Sequence, residues 1–277
     1  MTKGTLYVVA TPIGNLEDIT ARALRVLREV DMIAAEDTRH SLKLLNHFGI
    51  SKPLTSYWSE KEKTKAEEII ARLLSGKQVA LISDAGTPGI SDPGIILIKR
   101  AIEENIAVVP IPGPSALIAA LSVSGLPTEE FTFIGFLPAK SGQRIKRLSE
   151  LAHETRTLIF YEAPHRIMES LADMKDRLGD RVAAVAKEIS KLHEDVQRST
   201  LSLILENLRS KPIAGEYVVM VEGFKKEGCT ADEALHEVLA LMKKGLGRKE
   251  AVRVVAESYK ISKKELYDRS LDAPVQS

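Results

Sequence analysis

Three short aliphatic and β-branched runs each end in a turn made of glycine and proline. Leu6 to Ala10 leads into Thr11-Pro12-Ile13-Gly14-Asn15, and Ala107 to Ile111 leads into Pro112-Gly113-Pro114-Ser115-Ala116. Between them, residues 78–83 open into a loop that holds Gly86, Pro88, Gly89, Pro93 and Gly94, with Asp84 at its mouth. A buried strand that stops at a glycine-rich turn brings backbone groups to the end of a sheet, where a small ligand fits without side chains in the way. Three such ends in one half of a chain describe a ligand crevice.

The rest of that half fixes the fold class. Strand patterns at 6–10, 32–36, 54–57, 78–83 and 107–111 alternate with helical patterns at 18–30, 38–48, 60–75, 93–104 and 114–122. Such alternation predicts an α/β domain, residues 1–123, with a mostly parallel sheet covered by helices on both faces. Asp92 and Pro93 read as the cap and first residue of a helix, and Gly49 and Gly76 as left-handed C-caps. Ser124-Gly125-Leu126-Pro127 reads as a linker to a second α/β domain, 128–223. Strands are expected there at 131–136, 157–161, 182–188, 195–204 and 216–222, with helices at 140–152 and 164–178. Its later part shows no long helix between strands, so a mixed sheet with antiparallel pairing is expected. From 229 to 277 helix formers dominate: an amphipathic segment Thr230 to Lys244, a second helix 248–259, and a capping box Ser262-Lys263-Lys264-Glu265 opening a third. This predicts a small helix-turn-helix-like extension, suited equally to nucleic-acid contact or to packing.

Charge and cysteine content narrow the function classes. The 277 residues carry 39 basic and 38 acidic side chains, so nucleic-acid contact must come from local patches. One cysteine, Cys229, excludes an intrachain disulfide, fits a reducing cytoplasm, and reads as inert. No histidine spacing suggests a metal, no basic and apolar leader precedes the first strand, and the longest apolar stretch, Ala116 to Val123, is too short to span a membrane. A cytoplasmic location, no metal and no membrane association are the expectations. No G-x-G-x-x-G turn follows a predicted strand, which argues against a nicotinamide cofactor.

Six ordered segments carry a resemblance: LYVVATPIGNLEDIT, AAEDTRHSLKLLNHFGI, ALISDAGTPGISDPG, VVPIPGPSA, FIGFLP and TLIFYEAPHRI. Together they resemble the tetrapyrrole methylase superfamily, the class III S-adenosylmethionine methyltransferases, over residues 5 to about 223. More narrowly the chain is similar to the branch that methylates small-subunit ribosomal RNA. Its first loop, Ala10 to Asn15, lacks the superfamily's GxGxGD-like pattern, which favours that branch over porphyrin methylation. The resemblance implies 2′-O-methylation of a cytidine in the decoding region of 16S rRNA, a homodimer, and the small ribosomal subunit as partner. It also implies that Pro12, Ser83, Asp84, Ala85, Gly86, Thr87, Ser115 and Ala116 line an S-adenosylmethionine pocket, with Tyr161 and Glu162 approaching from the second domain.

A ribose hydroxyl is a poor nucleophile, so a general base would assist. Asp84, Glu36, Asp37, Glu162 and His165 are the candidates near the crevice, and the residues alone do not choose among them or exclude catalysis by positioning. Asp84 is equally a residue that caps its own loop. For RNA contact, the segment Leu137 to Ser149 offers Lys140, Arg144, Lys146 and Arg147 with no acidic residue, and Arg39, His165 and Arg166 follow strand ends. The alternatives left open are a methyltransferase acting on a corrinoid or porphyrin precursor, and a non-catalytic RNA- or ribosome-binding protein of the same fold. Tyr57, Trp58 and the run 60–65 read as a surface-to-core transition.

Overall fold

Strand and helix alternate through the first 122 residues as the periodicity predicts. A computed structural model describes residues 2–58, 62–225, 231–243, 245–259 and 261–272. The order is β1 (Thr5–Val9), α1 (Ala21–Glu29), β2 (Met32–Ala35), α2 (Thr38–His47), β3 (Leu54–Ser56), α3 (Glu62–Leu74), β4 (Val79–Ile82), α4 (Ile95–Glu103), β5 (Ala107–Ile111) and α5 (Ala116–Ser122). The strands form one parallel sheet in the order β3-β2-β4-β1-β5. Successive residues of a strand face opposite sides, and the core divides accordingly. Val79 and Leu81 pack with Ile69, Leu73, Leu97 and Ala101 of α3 and α4, while Ala80 and Ile82 pack with Ala23, Val26, Leu27 and Leu45 of α1 and α2. Each fully buried leucine in these layers contributes about 1.5–3 kcal/mol.

The strand order places the crevice. From β1 the chain moves toward β2 by way of the α1 face, and from β4 it moves toward β5 by way of the α4 face. Loops leaving two adjacent strands thus diverge to opposite sides, leaving a cleft at their carboxyl ends. Pro110 is tolerated within β5 because that strand lies at the sheet edge.

A second sheet follows, with β6 (Phe131–Phe136), α6 (Ser141–Glu150), β7 (Thr157–Glu162), α7 (Ile167–Leu178), β8 (Val182–Lys187), β9 (Asp195–Thr200), α8 (Leu201–Arg209) and β10 (Tyr217–Val221). Its order is β6-β7-β10-β8-β9, and within it β6 and β7 alone run parallel, so the mixed sheet is as expected. One face is covered by α6, α7 and α8. The other takes Ala120 and Leu121 of α5 together with Leu126.

Three expectations need correction. The strand proposed at 195–204 stops at Thr200, whose hydroxyl accepts from the Leu203 amide and starts α8; Leu201, Ile204 and Leu208 bury the helical stripe. Helix α4 starts at Ile95 rather than at Pro93: Gly94 is its N-cap, with its N–H held by Glu62 Oε1 at 2.8 Å, and Asp92 is released for another role. The segment 124–127 is packed chain, with Ser124 and Leu126 buried and the Leu126 amide on Ser124 Oγ at 3.1 Å. Both sheets accordingly belong to one compact unit, Met1–Gly223. Gly49 and Gly76 do take the left-handed conformation, at φ 63° and 92°.

The second unit contains α9 (Ala231–Lys243), α10 (Arg248–Tyr259) and α11 (Lys263–Asp272), closed around Ala234, Val238, Val252, Val255 and Leu266. Ser262 Oγ accepts from the Glu265 amide, one arm of the capping box. Cys229, Thr230 and Lys244 lie outside the described residues. Among the described residues no helix is long and apolar enough to cross a membrane, and no group of His, Cys, Asp and Glu is arranged to hold a metal.

Candidate active site

The turns that close β1, β4 and β5 do meet. Thr11 and Gly86 form a two-way backbone bridge, Thr11 N to Gly86 O at 2.8 Å and Gly86 N to Thr11 O at 3.1 Å. Gly86 sits at φ 80°, a conformation that L side chains avoid, so its role is to let the loop turn; its own amide and carbonyl are used by the bridge. At the end of β5, a Cβ on Gly113 would lie 2.9 Å from the Ala10 Cβ, so these two strand ends touch backbone to side chain. Beyond them opens a cavity of about 530 Å³, a normal size for a small-molecule site.

Of the residues the sequence pointed to, Asp84, Ala85, Gly86, Thr87, Ser115, Ala116, Tyr161 and Glu162 line this cavity, as does Glu36. Pro12 is buried and its neighbour Ile13 lines the wall instead; Ser83 is buried beneath it. Tyr161 ties the walls together, since its hydroxyl accepts from the Leu117 amide at the start of α5 at 3.2 Å. Burial and the neighbouring Asp92 raise the Tyr161 hydroxyl pKa above its ordinary value. At the rim, Phe136 and Ile90 are exposed. A bulge in β6 with Gly135 at φ 73° carries Phe136 to the rim, edge-on to Tyr161.

Electrostatics give the cavity its character. Glu36, Asp84, Asp92, Glu162 and Glu216 line it, and no lysine or arginine does among the described residues. Asp84 braces the loops: its Oδ1 accepts from the Asp37 amide at 3.1 Å, while its own amide is held by Glu36 Oε2 at 3.3 Å. Burial raises the Glu36 pKa, and Asp84 and Asp37 add to the effect. Asp92 is pushed up to about 6, first by burial and then by the carboxylates of Glu36, Asp84 and Glu216. Glu162 is fully engaged, with Oε1 on the Ala163 amide and the Arg166 guanidinium at 2.8 and 2.7 Å and Oε2 on Ser170 Oγ. It holds a wall and has no lone oxygen facing a substrate.

Other candidates stand elsewhere. Asp37 caps α2 through the Arg39 amide and is held below its usual range by that bond, while Arg39 extends into solvent from the same cap. His165 is exposed outside the lining, and Arg166 is turned inward to Glu162 and the Leu137 carbonyl. The basic segment splits. Lys140, Lys146 and Arg147 are exposed, but Arg144 is buried, with its guanidinium on Asp173 at 2.6 Å and Glu169 at 3.2 Å, so it braces α6 against α7 instead of meeting phosphates. Asp92, Glu216 and Phe136 were missed. Asp92 was hidden by the helix-cap reading of Asp-Pro, and Glu216 and Phe136 carry no local motif; only the strand order of the second sheet brings them to the cavity.

Comparison with known proteins agrees with this geometry. Residues 5–204 match the family model of the Tetrapyrrole (Corrin/Porphyrin) Methylases. The chain is 50% identical over 273 residues to the ribosomal RNA small subunit methyltransferase I of Xylella fastidiosa strain Temecula1, covering 96% of this chain and 98% of that one. It is 50% identical over 277 residues to the protein of the same name from Pseudomonas aeruginosa, covering 98% of each. Among solved structures, diphthine synthase shares the fold at a TM-score of 0.60 and 17% identity, over 79% of this chain and 90% of that one.

Proposed function

The chain belongs to the tetrapyrrole methylase family, with close relatives named ribosomal RNA small subunit methyltransferase I, and on that premise we propose that it methylates the ribose 2′-hydroxyl of a cytidine in the decoding region of 16S rRNA. S-adenosylmethionine is the methyl donor, and it supplies an electrophilic methyl group on a cationic sulfonium. The residues present fit such a molecule. A cavity walled by five carboxylates and, among the described residues, no cationic side chain favours a positive centre, and Ile13, Ala116 and Leu117 offer apolar surface. The single observation that carries the reading is this acidic cavity at the point where the loops after β1 and β4 diverge, in a chain half identical to named rRNA methyltransferases.

The protein's contribution is first geometric. Holding two reactants in line is worth about 7–11 kcal/mol of the barrier in well-aligned cases. Bracing of the loops by Asp84, Glu36 and the Thr11–Gly86 bridge serves that end. Phe136 and Ile90 at the rim provide a surface on which a nucleobase turned out of the RNA stacks. Lys140 and Lys146 are exposed cations that phosphates can draw, and Arg147 and Arg39, exposed in surface pairs with Glu150 and Asp37, are further ones. The same reading takes the enzyme to work in the cytoplasm as a homodimer on the small subunit, as the family resemblance implies. The test is transfer of a labelled methyl group to small subunits from cells lacking the gene, followed by mass mapping of the rRNA. One ribose-methylated cytidine in the decoding region is expected; labelling of a tetrapyrrole precursor instead, or of no RNA, overturns it.

A further inference from the structure

The loop after β1 is fastened from two directions. From the first sheet it is held at Thr11 by the Gly86 bridge, and Ile13 lies against Gly86, where a Cβ would stand 3.6 Å from the Ile13 Cγ2. From the second sheet it is held by the turn between β8 and β9, residues 188–194. There Lys191 lays its stem across Gly14, so that a Cβ on Gly14 would lie 2.9 Å from the Lys191 Cε and 3.0 Å from its Cδ, while Ser190 Oγ donates to Asp18. The ammonium beyond the stem is anchored by Glu188 Oε1 at 2.8 Å and Glu216 Oε2 at 3.0 Å. The turn itself is stiff. The Glu188 amide donates to the Glu216 carbonyl at 2.9 Å, Glu188 Oε1 accepts from the Glu216 amide at 3.0 Å, and Glu194 Oε2 accepts from the Ser190 amide at 2.7 Å. Glu188 and Ser190 stand at φ 52° and 71°, a region that L side chains occupy only where their surroundings impose it.

Lys191 is not part of the cavity lining, whereas Ile13, Ile189 and Glu216 around it are. Its charge is spent on two carboxylates, so what it gives the site is placement. We propose that Lys191 is a positioning residue for the methyl donor: its stem, laid on Gly14, sets how far the neighbouring Ile13 stands into the cavity, and thereby the fit of S-adenosylmethionine. The assignment rests on the reading of this cavity as the donor site. Thr11 and Gly14 are both pinned, so Pro12 and Ile13 between them have no freedom to shift, and Pro12 has its own φ fixed by its ring. Without the stem that span is held at one end only, and Ile13 is released from Gly86. A role through placement and a role through charge predict different things. An effect of the ammonium would act on the cationic sulfonium donor and not on S-adenosylhomocysteine, whose sulfur is neutral. An effect through Ile13 acts on both alike, because the two molecules share every other part.

The experiment measures by calorimetry the affinity of wild type and variants for S-adenosylmethionine and for S-adenosylhomocysteine. Lys191→Ala should weaken both by the same factor, about tenfold, a coupling of the size that contacting residues show. Lys191→Arg, which keeps an apolar stem and a cation for Glu188 and Glu216, should stay within about twofold of wild type. Lys191→Gln retains part of the stem and should fall between the two, which also keeps the test open if the alanine variant does not fold. Ile13→Ala should itself weaken both ligands, and adding Lys191→Ala to it should cost little more, since the residue through which Lys191 acts is gone. Wild-type affinities in Lys191→Ala, a change confined to S-adenosylmethionine, or losses that multiply in the double variant each overturn the positioning role and leave the donor site where it is. Ile13→Ala that binds both ligands as tightly as wild type refutes the donor-site reading, and the positioning role with it.

Discussion

Removing the Arg144 guanidinium separates a structural cation from an RNA-binding one. Its side chain is 3% exposed and is held by Asp173, itself 19% exposed, and by Glu169, which is 70% exposed. The Glu169 contact is a surface pair and contributes about 0–1 kcal/mol. Losing the Asp173 contact strands a largely buried carboxylate, which costs about 3–5 kcal/mol in comparable cases. Water reaches part of Asp173, so the lower end applies and Arg144→Ala should cost about 3 kcal/mol. In a unit of this size that is a fall in Tm of about 6–12 °C, readable by calorimetry or urea unfolding. Coupled replacement, Arg144→Met with Asp173→Leu, should restore most of the loss because no buried charge is then left unpaired, Glu169 being solvated. Lys140→Ala and Lys146→Ala, both at exposed positions, should each leave Tm nearly unchanged while flattening the salt dependence of rRNA binding by about 0.7–0.9. An Arg144→Ala protein of undiminished stability whose salt slope flattens like theirs refutes the burial argument and returns Arg144 to the phosphate-binding set.

Four further outcomes follow from the site. Gly113→Val should force β1 and β5 apart, since even a Cβ there would lie 2.9 Å from Ala10, and should weaken S-adenosylmethionine binding more than about tenfold in calorimetry at a stability cost of about 1–3 kcal/mol. Phe136→Ala should raise the KM for RNA about 5- to 150-fold, the equivalent of one lost stacking contact, with donor affinity unchanged; equal KM values remove Phe136 from RNA recognition. Glu162→Ala takes the carboxylate from Arg166, 15% exposed, and from the buried Ser170, and should lower stability by about 3 kcal/mol in urea melts, whereas a methylation defect at full stability contradicts its wall-bracing role. The Asp92 carboxyl is raised in the fold, so its ionisation costs stability above pH 6, and none below about pH 4 where both states are protonated. Asp92→Asn should therefore be more stable than wild type by about 1–3 kcal/mol at pH 7, after allowance for screening, with the gain fading on acidification.

How much of this was legible in the sequence depends on the range of the interaction. Every strand and helix up to Ser122 follows from local periodicity, because a parallel sheet buries whole apolar runs and glycines mark the helix ends at Gly49 and Gly76. The cavity walls from the first sheet followed too, since three turns on neighbouring strands must share an edge. What failed were decisions between two local options of similar energy. Asp92-Pro93 fits a helix start, but the hold of Glu62 on the Gly94 amide moves the cap two residues on. Arg144 sits in a run that reads as a basic face, and only the approach of α7 with Asp173 and Glu169 shows which of its four cations turns inward. Residues 201–204 read as more strand, yet Thr200, the last residue of β9, caps α8 and turns them into its first turn. Tyr57 was read as a boundary marker; it is fully buried, and its hydroxyl links Glu62 of α3 to the Leu97 amide of α4.

The site draws its walls from two sheets of different construction, and α5 is the element that makes them one object. Ala120 and Leu121 are buried against Ile159, Ala184, Val218 and Met220 of the second sheet, while Ser115 and Ala116 at its start line the cavity beside the end of β5. The Leu117 amide, in the first turn where no helical carbonyl is in reach, is satisfied by the Tyr161 hydroxyl. The same interaction orients the ring against which Phe136 is set edge-on, 5.7 Å between centroids. A shift of α5 would therefore move the wall at Ser115 and Ala116 and the rim together, so apolar packing behind the cavity joins the loop bracing by Glu36, Asp84 and Glu162 in fixing its shape. That packing explains how a cavity can crowd acidic side chains at a cost in stability and still keep one geometry.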